Sequence, residues 1–390
     1  MKRLPMSKLK KLLFFALIGL FYLAMINVNV QIIKKKEEPA PTSTPTPFIV
    51  PMPTDSQHNI IWWSPPVFEN TTGMPVICDS TIDVVYTWVN GSDPINIENR
   101  IKRGKKFKNA KEVKSSTETS QRYRDLETLK YSLRSIKQFA PFVNNIWIIT
   151  ANQIPTWFNT SYEGNIEFIF HEELFLNNDD LPTFNSNAIE ANLHSIPSRV
   201  ADCFLFLNDD ILFGNDVVAE DFFDGDKIAV YPESWTAPSN LTEIWHLTIN
   251  YTNQNLDRVW NETKDRYYAS HGVHPMYRRT LEIMHEELKF EIENTSASPF
   301  RDEHNMQTPF MNQQYNMKYF NTFPPGKVNE YFTFEDSEET MDSLFLHLFE
   351  NRYKSVCLND RLTENPPQAV LDKITNFFEE YYPDKGDWEL

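Results

Sequence analysis

Four short apolar runs constrain what this chain can become: Ile82–Val89 (IDVVYTWV), Asn145–Thr150 (NIWIIT), Ile166–Phe170 (IEFIF) and Asp202–Leu207 (DCFLFL). They are nearly continuous in apolar character, the pattern of strands buried on both faces. Between the first two, Leu126, Leu129, Leu133 and Ile136 recur at helical spacing over Asp125–Ala140, and Pro141 stops the helix. Strands of this kind separated by a helix predict a Rossmann-like, mainly parallel α/β sheet, in which ligands bind beyond the carboxyl ends of the strands. The second half reads as more helical. Leu281–Ile292 has a broken helical period, Met341–Phe349 carries an apolar face, and Val370–Tyr381 aligns Val370, Leu371, Ile374, Phe377, Phe378 and Tyr381 behind Pro366-Pro367.

Ahead of this body, Leu12–Val30 holds no charge over 19 positions, long enough to span a bilayer as a helix. Lys2, Arg3, Lys8, Lys10 and Lys11 precede it, which favours a cytosolic N-terminus. A cleaved signal peptide is the alternative, but the run is long for one and has no Ala-x-Ala site. The expected organisation is therefore a cytosolic tail (1–11), a transmembrane helix (12–33), a Pro/Thr-rich stem (34–75) and a luminal body (76–390) of a single-pass type II membrane protein. Asn-x-Ser/Thr sequons at Asn70, Asn90, Asn159, Asn240, Asn250, Asn261 and Asn294 agree with that topology. Three cysteines allow one bridge at most. Cys203 reads as a core residue, leaving Cys78 and Cys357 as the expected pair.

The net charge is −17. The first 36 residues hold eight Lys/Arg and no acids, so the remainder sets 29 basic against 54 acidic residues. Such a body repels nucleic acid and anionic membrane surface. A phosphorylated ligand would need a local basic site or a metal.

Six constellations carry chemistry. In Leu205–Gly214 (LFLNDDILFG), Asp209 and Asp210 sit at the end of a buried run. Burying an unpaired carboxylate is costly, and a divalent cation would compensate it; a solvated Asx turn is the competing reading. Asp83 with Trp88, Asn90 and Asp93 repeats the strand-then-turn logic, although a core Trp beside a helix cap explains it equally. Arg124, Lys130 and Arg134 at a helix start would suit phosphate, or else form an ordinary solvated face. His271 and His274 offer a general base; loop histidines are the plain alternative. Arg301 in FRDEHN and Asp360 in CLND complete the set.

Taken in order, these motifs resemble the Stealth family of sugar-phosphate transferases, which includes bacterial capsular polysaccharide phosphotransferases and the Golgi N-acetylglucosamine-1-phosphotransferase α/β precursor. IDVVYTWVNGSDP (82–94) resembles the first family block and residues 122–214 the second. SHGVHPMYRR through FRDEHNMQ (270–307) resembles the third, and residues 356–390 the fourth. The resemblance implies a GT-A-like fold, Mg²⁺ or Mn²⁺, a UDP-sugar donor and a glycan acceptor such as a mannose-containing N-glycan. It also implies Golgi location and, by analogy, a homodimer. The implied reaction moves a sugar 1-phosphate, GlcNAc-1-phosphate above all, onto an acceptor hydroxyl with release of UMP. A metal-dependent GT-A glycosyltransferase releasing UDP is the alternative. Carried over residue by residue, Asp209 and Asp210 hold the metal. His271 takes the acceptor proton with His274 as rival base, Arg301 stabilises the transferring phosphoryl, and Asp360 completes the catalytic set. Asp83, Trp88, Asn90, Arg124, Lys130, Arg134 and, in TNQNL, Asn253 contact substrate. Asn90, in an active-site turn, is expected to escape glycosylation.

Overall fold

The four apolar runs become four parallel strands: β1 (Ile82–Thr87), β2 (Val143–Thr150), β3 (Ile166–Phe170) and β4 (Cys203–Asn208). The computed structural model describes residues 73–78, 81–106, 124–237 and 243–390, which lie in a unit running from Ser64 to Leu390. β1 is central and all six of its residues are buried, with Val84 opposite Ile146 of β2 and Leu205 of β4. A continuous apolar run has this fate because both faces of a parallel sheet are covered.

The sheet is mixed rather than wholly parallel. The chain leaves β4 into β5 (Ile211–Phe213), and a later strand, β6 (His274–Tyr277), closes the sheet edge antiparallel to β4, giving the order β6-β4-β1-β2-β3. β7 (Asn329–Phe334) runs parallel to β8 (Ser355–Asp360), and β8 pairs antiparallel with β5 in a second, three-stranded sheet. The turn Asp209-Asp210 thus joins two sheets.

Helix α1 (Pro94–Lys106) follows β1, and the predicted amphipathic helix is α2 (Thr128–Phe139), burying Leu129, Leu133 and Ile136. Its Ser132 and Ser135 hydroxyls bond the backbone of Ile211 and Phe213, so the helix approaches β5 closely through small side chains. Further along lie α3 (Ser186–Ala191), α4 (Ile244–Trp260), α5 (Arg278–Glu287), α6 (Lys289–Ser296) and α7 (Thr308–Tyr319). The broken period at 281–292 resolves into α5 and α6, divided at Leu288. The C-terminal helices α8 (Glu338–Asn351) and α9 (Gln368–Tyr381) bury the predicted faces, Met341, Phe345 and Leu348 on one and Val370, Ile374, Phe377, Phe378 and Tyr381 on the other.

Two expectations need correction or placing. The disulfide joins Cys78 to Cys203, across 125 residues, and Cys357 is a buried free thiol. Cys203 is a core residue and a bridge at once, so apolar surroundings did not exclude pairing. The expected tail, anchor and residues 34–72 of the stem lie outside the described residues; among those described, no helix is long and apolar enough to cross a membrane. Residues expected to end the stem already pack on the body. Met74 exchanges backbone hydrogen bonds with Tyr319 and Asn321, and a Cβ on Gly73 would meet the Phe320 carbonyl carbon at 2.4 Å.

Candidate active site

The carboxyl end of β4 is the chemical centre. Asn208 closes the strand and accepts a hydrogen bond from Thr87 Oγ1 at 3.2 Å, tying the ends of β1 and β4 together. The chain then turns through Asp209 and Asp210 into β5. Leu358 N donates to the Asp210 carbonyl at 2.9 Å, which locks the turn against β8. Pairing Cys357 with Ile211 brings the thiol to 3.4 Å from Asp210 Oδ2. The loop before β6 adds His271. One ligand atom each from Asp210, His271 and Cys357 lie within 4.8 Å of one another.

The loop carrying His271 is held by Asn329 of β7. Its Oδ1 accepts from Val273 N at 3.0 Å, and its Nδ2 donates to Ser270 Oγ at 2.9 Å and to the Val273 carbonyl at 3.3 Å. A Cβ on Gly272 would meet Asn329 Cγ at 2.3 Å, so only glycine permits this approach. Tyr331, on the same strand, sets its ring 5.5 Å from that of His271.

The electrostatics mark a concentration of negative charge. Burial raises the Asp209 carboxyl well above the carboxylate range, and Asp210 and Asp125 add to the rise. Burial, with Asp210 beside it, pushes the Cys357 thiol up. Asp125 is raised by burial as well, with the Trp88 indole bonded to it. Tyr331 is pushed up to about 12 by burial, Cys357 and Asp210. Thr128 Oγ1, at the start of α2, donates to Asp209 Oδ2 at 3.4 Å. Asp210 Oδ1 is buried and has no partner among the described residues. An orphaned carboxylate oxygen beside an imidazole and a thiol, in a cluster of raised acids, fits a divalent cation. The donor set of oxygen, nitrogen and sulfur differs from the expected Asp209/Asp210 pair. Asp210 is common to both, while Asp209 lies to the side, toward Thr128.

The other residues singled out in the sequence divide. Arg124 and Asp360 meet each other: Nη1 donates to both Asp360 oxygens at 3.0 and 2.9 Å, and Nη2 to the Thr363 carbonyl at 2.5 Å. The pair fastens the approach to α2 onto the end of β8. Lys130 pairs with Glu127 and lies 4.7 Å over the Tyr131 ring. Arg301 donates to Ser186 Oγ at 2.8 Å, at the start of α3. His274 sits on β6, where burial and His271 depress its imidazole to about 3, so it stays neutral and makes a weak base.

Four substrate assignments are corrected by their surroundings, and a fifth residue, Asn90, is partly engaged by its own turn. Asp83 lies at the opposite, amino end of β1, and its carboxylate accepts from Asn144, Asn145 N, Trp147 and Ala201 N at 2.8–3.2 Å. Arg134 is buried and bound to Glu379, Glu389 and the Tyr382 carbonyl, so it fastens the C-terminus and meets no phosphate. Asn253 is occupied by Arg266 and the Lys264 carbonyl. Trp88 is 5% exposed and offers no open face for stacking. Asn90 shapes its own turn, accepting from Ser92 N at 2.9 Å while its backbone bonds Gln153 twice.

Two groups escaped the sequence reading. Cys357 was assigned to a bridge, though its place three residues before Asp360 on a strand like that of Asp209 was an available signal. Glu190, on α3, is buried, and burial pushes its carboxyl up to about 7 against the opposing pull of Arg301. Nothing in the sequence around it marked it.

Comparison with known proteins adds an independent line. Profiles described as Stealth protein conserved regions 1, 2, 3 and 4 match residues 81–108, 122–231, 270–318 and 347–390. An exopolysaccharide phosphotransferase of Streptomyces coelicolor is 35% identical over 56% of this chain and 23% of its own length. A receptor polysaccharide phosphotransferase of Streptococcus oralis is 27% identical over 79% of this chain and 99% of its own length. The chain thus spans about a quarter of the first relative and nearly all of the second. Among solved structures, the galactosyltransferase LgtC, in complex with donor and acceptor sugar analogues, aligns with a TM-score of 0.39 at 12% identity, covering 77% of this chain and 96% of that one.

Proposed function

The chain belongs to the Stealth family, and from that premise we propose that it transfers a sugar 1-phosphate from a nucleoside-diphosphate sugar to a hydroxyl of an acceptor glycan. The observation that carries the reading is the convergence of Asp210, His271 and Cys357 within 4.8 Å. They come from conserved regions 2, 3 and 4, and they meet where α/β sheets bind ligands. The relatives are named for phosphotransfer onto polysaccharides, which supports the reaction class.

The donor we infer is a UDP-sugar, UDP-GlcNAc first among them, with UMP as leaving group and a phosphodiester as product. Asp210, His271 and Cys357 would hold the divalent ion. When bound, that ion offsets the charge of a diphosphate. Imidazole and thiol suit an ion softer than Mg²⁺. The chain's own residues do the rest. Asp209, braced by Thr128, adds a second carboxyl next to Asp210. His271 would be a ligand in this arrangement rather than the base. Glu190, with a carboxyl near 7, is matched to take a proton from the acceptor hydroxyl near neutral pH, and Arg301 beside it stabilises negative charge on the transferring phosphoryl.

We place the body in an oxidising compartment, with the Golgi lumen as the specific proposal. The Cys78–Cys203 bridge and the seven sequons support it. Membrane attachment through residues 12–33 and a homodimer belong to the same proposal.

The experiment incubates the protein with UDP-GlcNAc, Mn²⁺ and an α-mannoside and identifies the nucleotide released. UMP, lost in Asp210→Asn, is the expected result. UDP would replace the proposal with glycosyl transfer.

A further inference from the structure

Three residues before His271 the chain builds a second site. The hairpin strands Pro232–Thr236 and Tyr267–Ala269 bring Trp235 and Tyr268 together, with ring centroids 4.6 Å apart and planes at 21°. Trp245, at the start of α4, stands edge-on to Trp235 at 6.1 Å and 73°. Phe310 of α7 backs Tyr268 at 5.9 Å. Trp235, Trp245 and Tyr268 are each only partly buried, unlike the aromatic residues of the core.

Polar groups border this aromatic floor. Glu190 is 6% exposed and its charge faces Arg301 and Tyr268. Arg301 reaches Ser186 at 2.8 Å. His246, next to Trp245, buries Nδ1 without a partner among the described residues. An imidazole nitrogen buried without a partner is costly unless a ligand satisfies it.

Aromatic faces flanked by a carboxylate and a guanidinium suit a pyranose ring. Its C–H face lies on the Trp235 ring, and its hydroxyls donate to the carboxylate and accept from the guanidinium. Three residues span at most roughly 11 Å, so a ring on this floor lies within reach of a donor phosphate at Asp210 and His271.

We propose that Trp235, stacked on Tyr268 and met edge-on by Trp245, forms the acceptor subsite, laying the face it turns away from Tyr268 against a pyranose of the acceptor glycan while Glu190 and Arg301 hold its hydroxyls. The assignment of this sugar as acceptor rests on the transferase reading above.

Saturation-transfer NMR on the full chain tests it, with α-1,2-mannobiose and the methyl glycosides of GlcNAc and galactose as sugar probes and UMP as nucleotide probe. Melting temperature controls for folding, and Trp235→Phe accompanies Trp235→Ala. Expected is saturation transfer to at least one sugar in the wild type, lost in Trp235→Ala and partly kept in Trp235→Phe, with the UMP signal retained in both. In turnover, the apparent acceptor KM rises about tenfold in Trp235→Ala, the scale of one ring contact, and the donor KM moves less than about twofold. Sugar binding indifferent to Trp235, loss of UMP binding alongside it, or no transfer to any sugar would each overturn the subsite. A wild type that binds sugar through Trp235 yet releases no UMP would defeat the transferase reading and leave the pyranose site standing.

Discussion

Cys357 Sγ stands 3.4 Å from Asp210 Oδ2, although 147 residues separate the two in sequence. The contact follows from register: β8 pairs antiparallel with β5, and a one-residue slip would turn the thiol to the other face. A buried thiol next to an orphaned carboxylate oxygen is poor packing for an inert core and good geometry for an ion.

Cys357→Ser should therefore weaken divalent-ion binding by about tenfold or more while the protein stays folded, because the swap nearly preserves volume and removes the soft donor. Calorimetric titration with Mn²⁺ and Zn²⁺ measures it. Unchanged affinity for both ions would remove Cys357 from the site.

Gly272→Ala should lower kcat more than it lowers stability. The added methyl would sit 2.3 Å from Asn329 Cγ, and Asn329 bonds the Ser270 hydroxyl and the Val273 backbone on either side of His271. The stability loss expected from such overpacking is about 1–3 kcal/mol. Melting curves and initial rates on the same preparation separate the two effects; a normal kcat would show that the position of His271 is not held by this contact.

Arg134→Met should act on stability alone. The guanidinium is buried against Glu379 and Glu389, and the Glu389 side chain is only 4% exposed. Removing one partner of a buried pair costs about 3–5 kcal/mol. The check is denaturant unfolding alongside the donor KM: the midpoint falls and KM holds. A donor KM that rises in the folded variant would restore Arg134 as a substrate contact.

Glu190 should leave a pH signature. Burial raises its carboxyl from 4.5 to about 7, so between these values the folded state binds the proton more tightly than the unfolded state. Its stabilising protonation is fully present below about pH 4.5 and is lost as pH rises through about 7. Glu190→Gln should flatten that part of the stability profile and also remove an acidic limb near pH 7 from kcat/KM. A wild-type rate profile that is flat from pH 6 to 8 would rule out the proton-accepting role.

The readable parts of the sequence were those with local causes. The continuous apolar runs predicted β1 to β4, and the 3-4-3 spacing of Leu126 to Ile136 predicted α2. β5 to β8 were less visible: β5 has only three residues, and β6 to β8 mix polar with apolar residues; β7, NEYFTF, has only its two ends buried. Among site residues, the acidic pair was conspicuous because charge after a buried run is costly. Arg134 misled because a basic helix face looks alike whether it meets phosphate or Glu379 and Glu389. Asp83 misled in the same way, for three of its four hydrogen-bond donors come from the neighbouring strand β2 and the fourth from Ala201, ahead of β4.

By itself the sequence determined the family, the parallel strands and the place of Asp209-Asp210 at a strand end, since each depends on residues close together in the chain. Only the tertiary structure decided the partners. It set Cys78 against Cys203, Arg124 against Asp360, and Cys357 with His271 around Asp210. These are contacts across more than 60 residues, fixed by strand register and sheet order, and no local pattern of side chains encodes either.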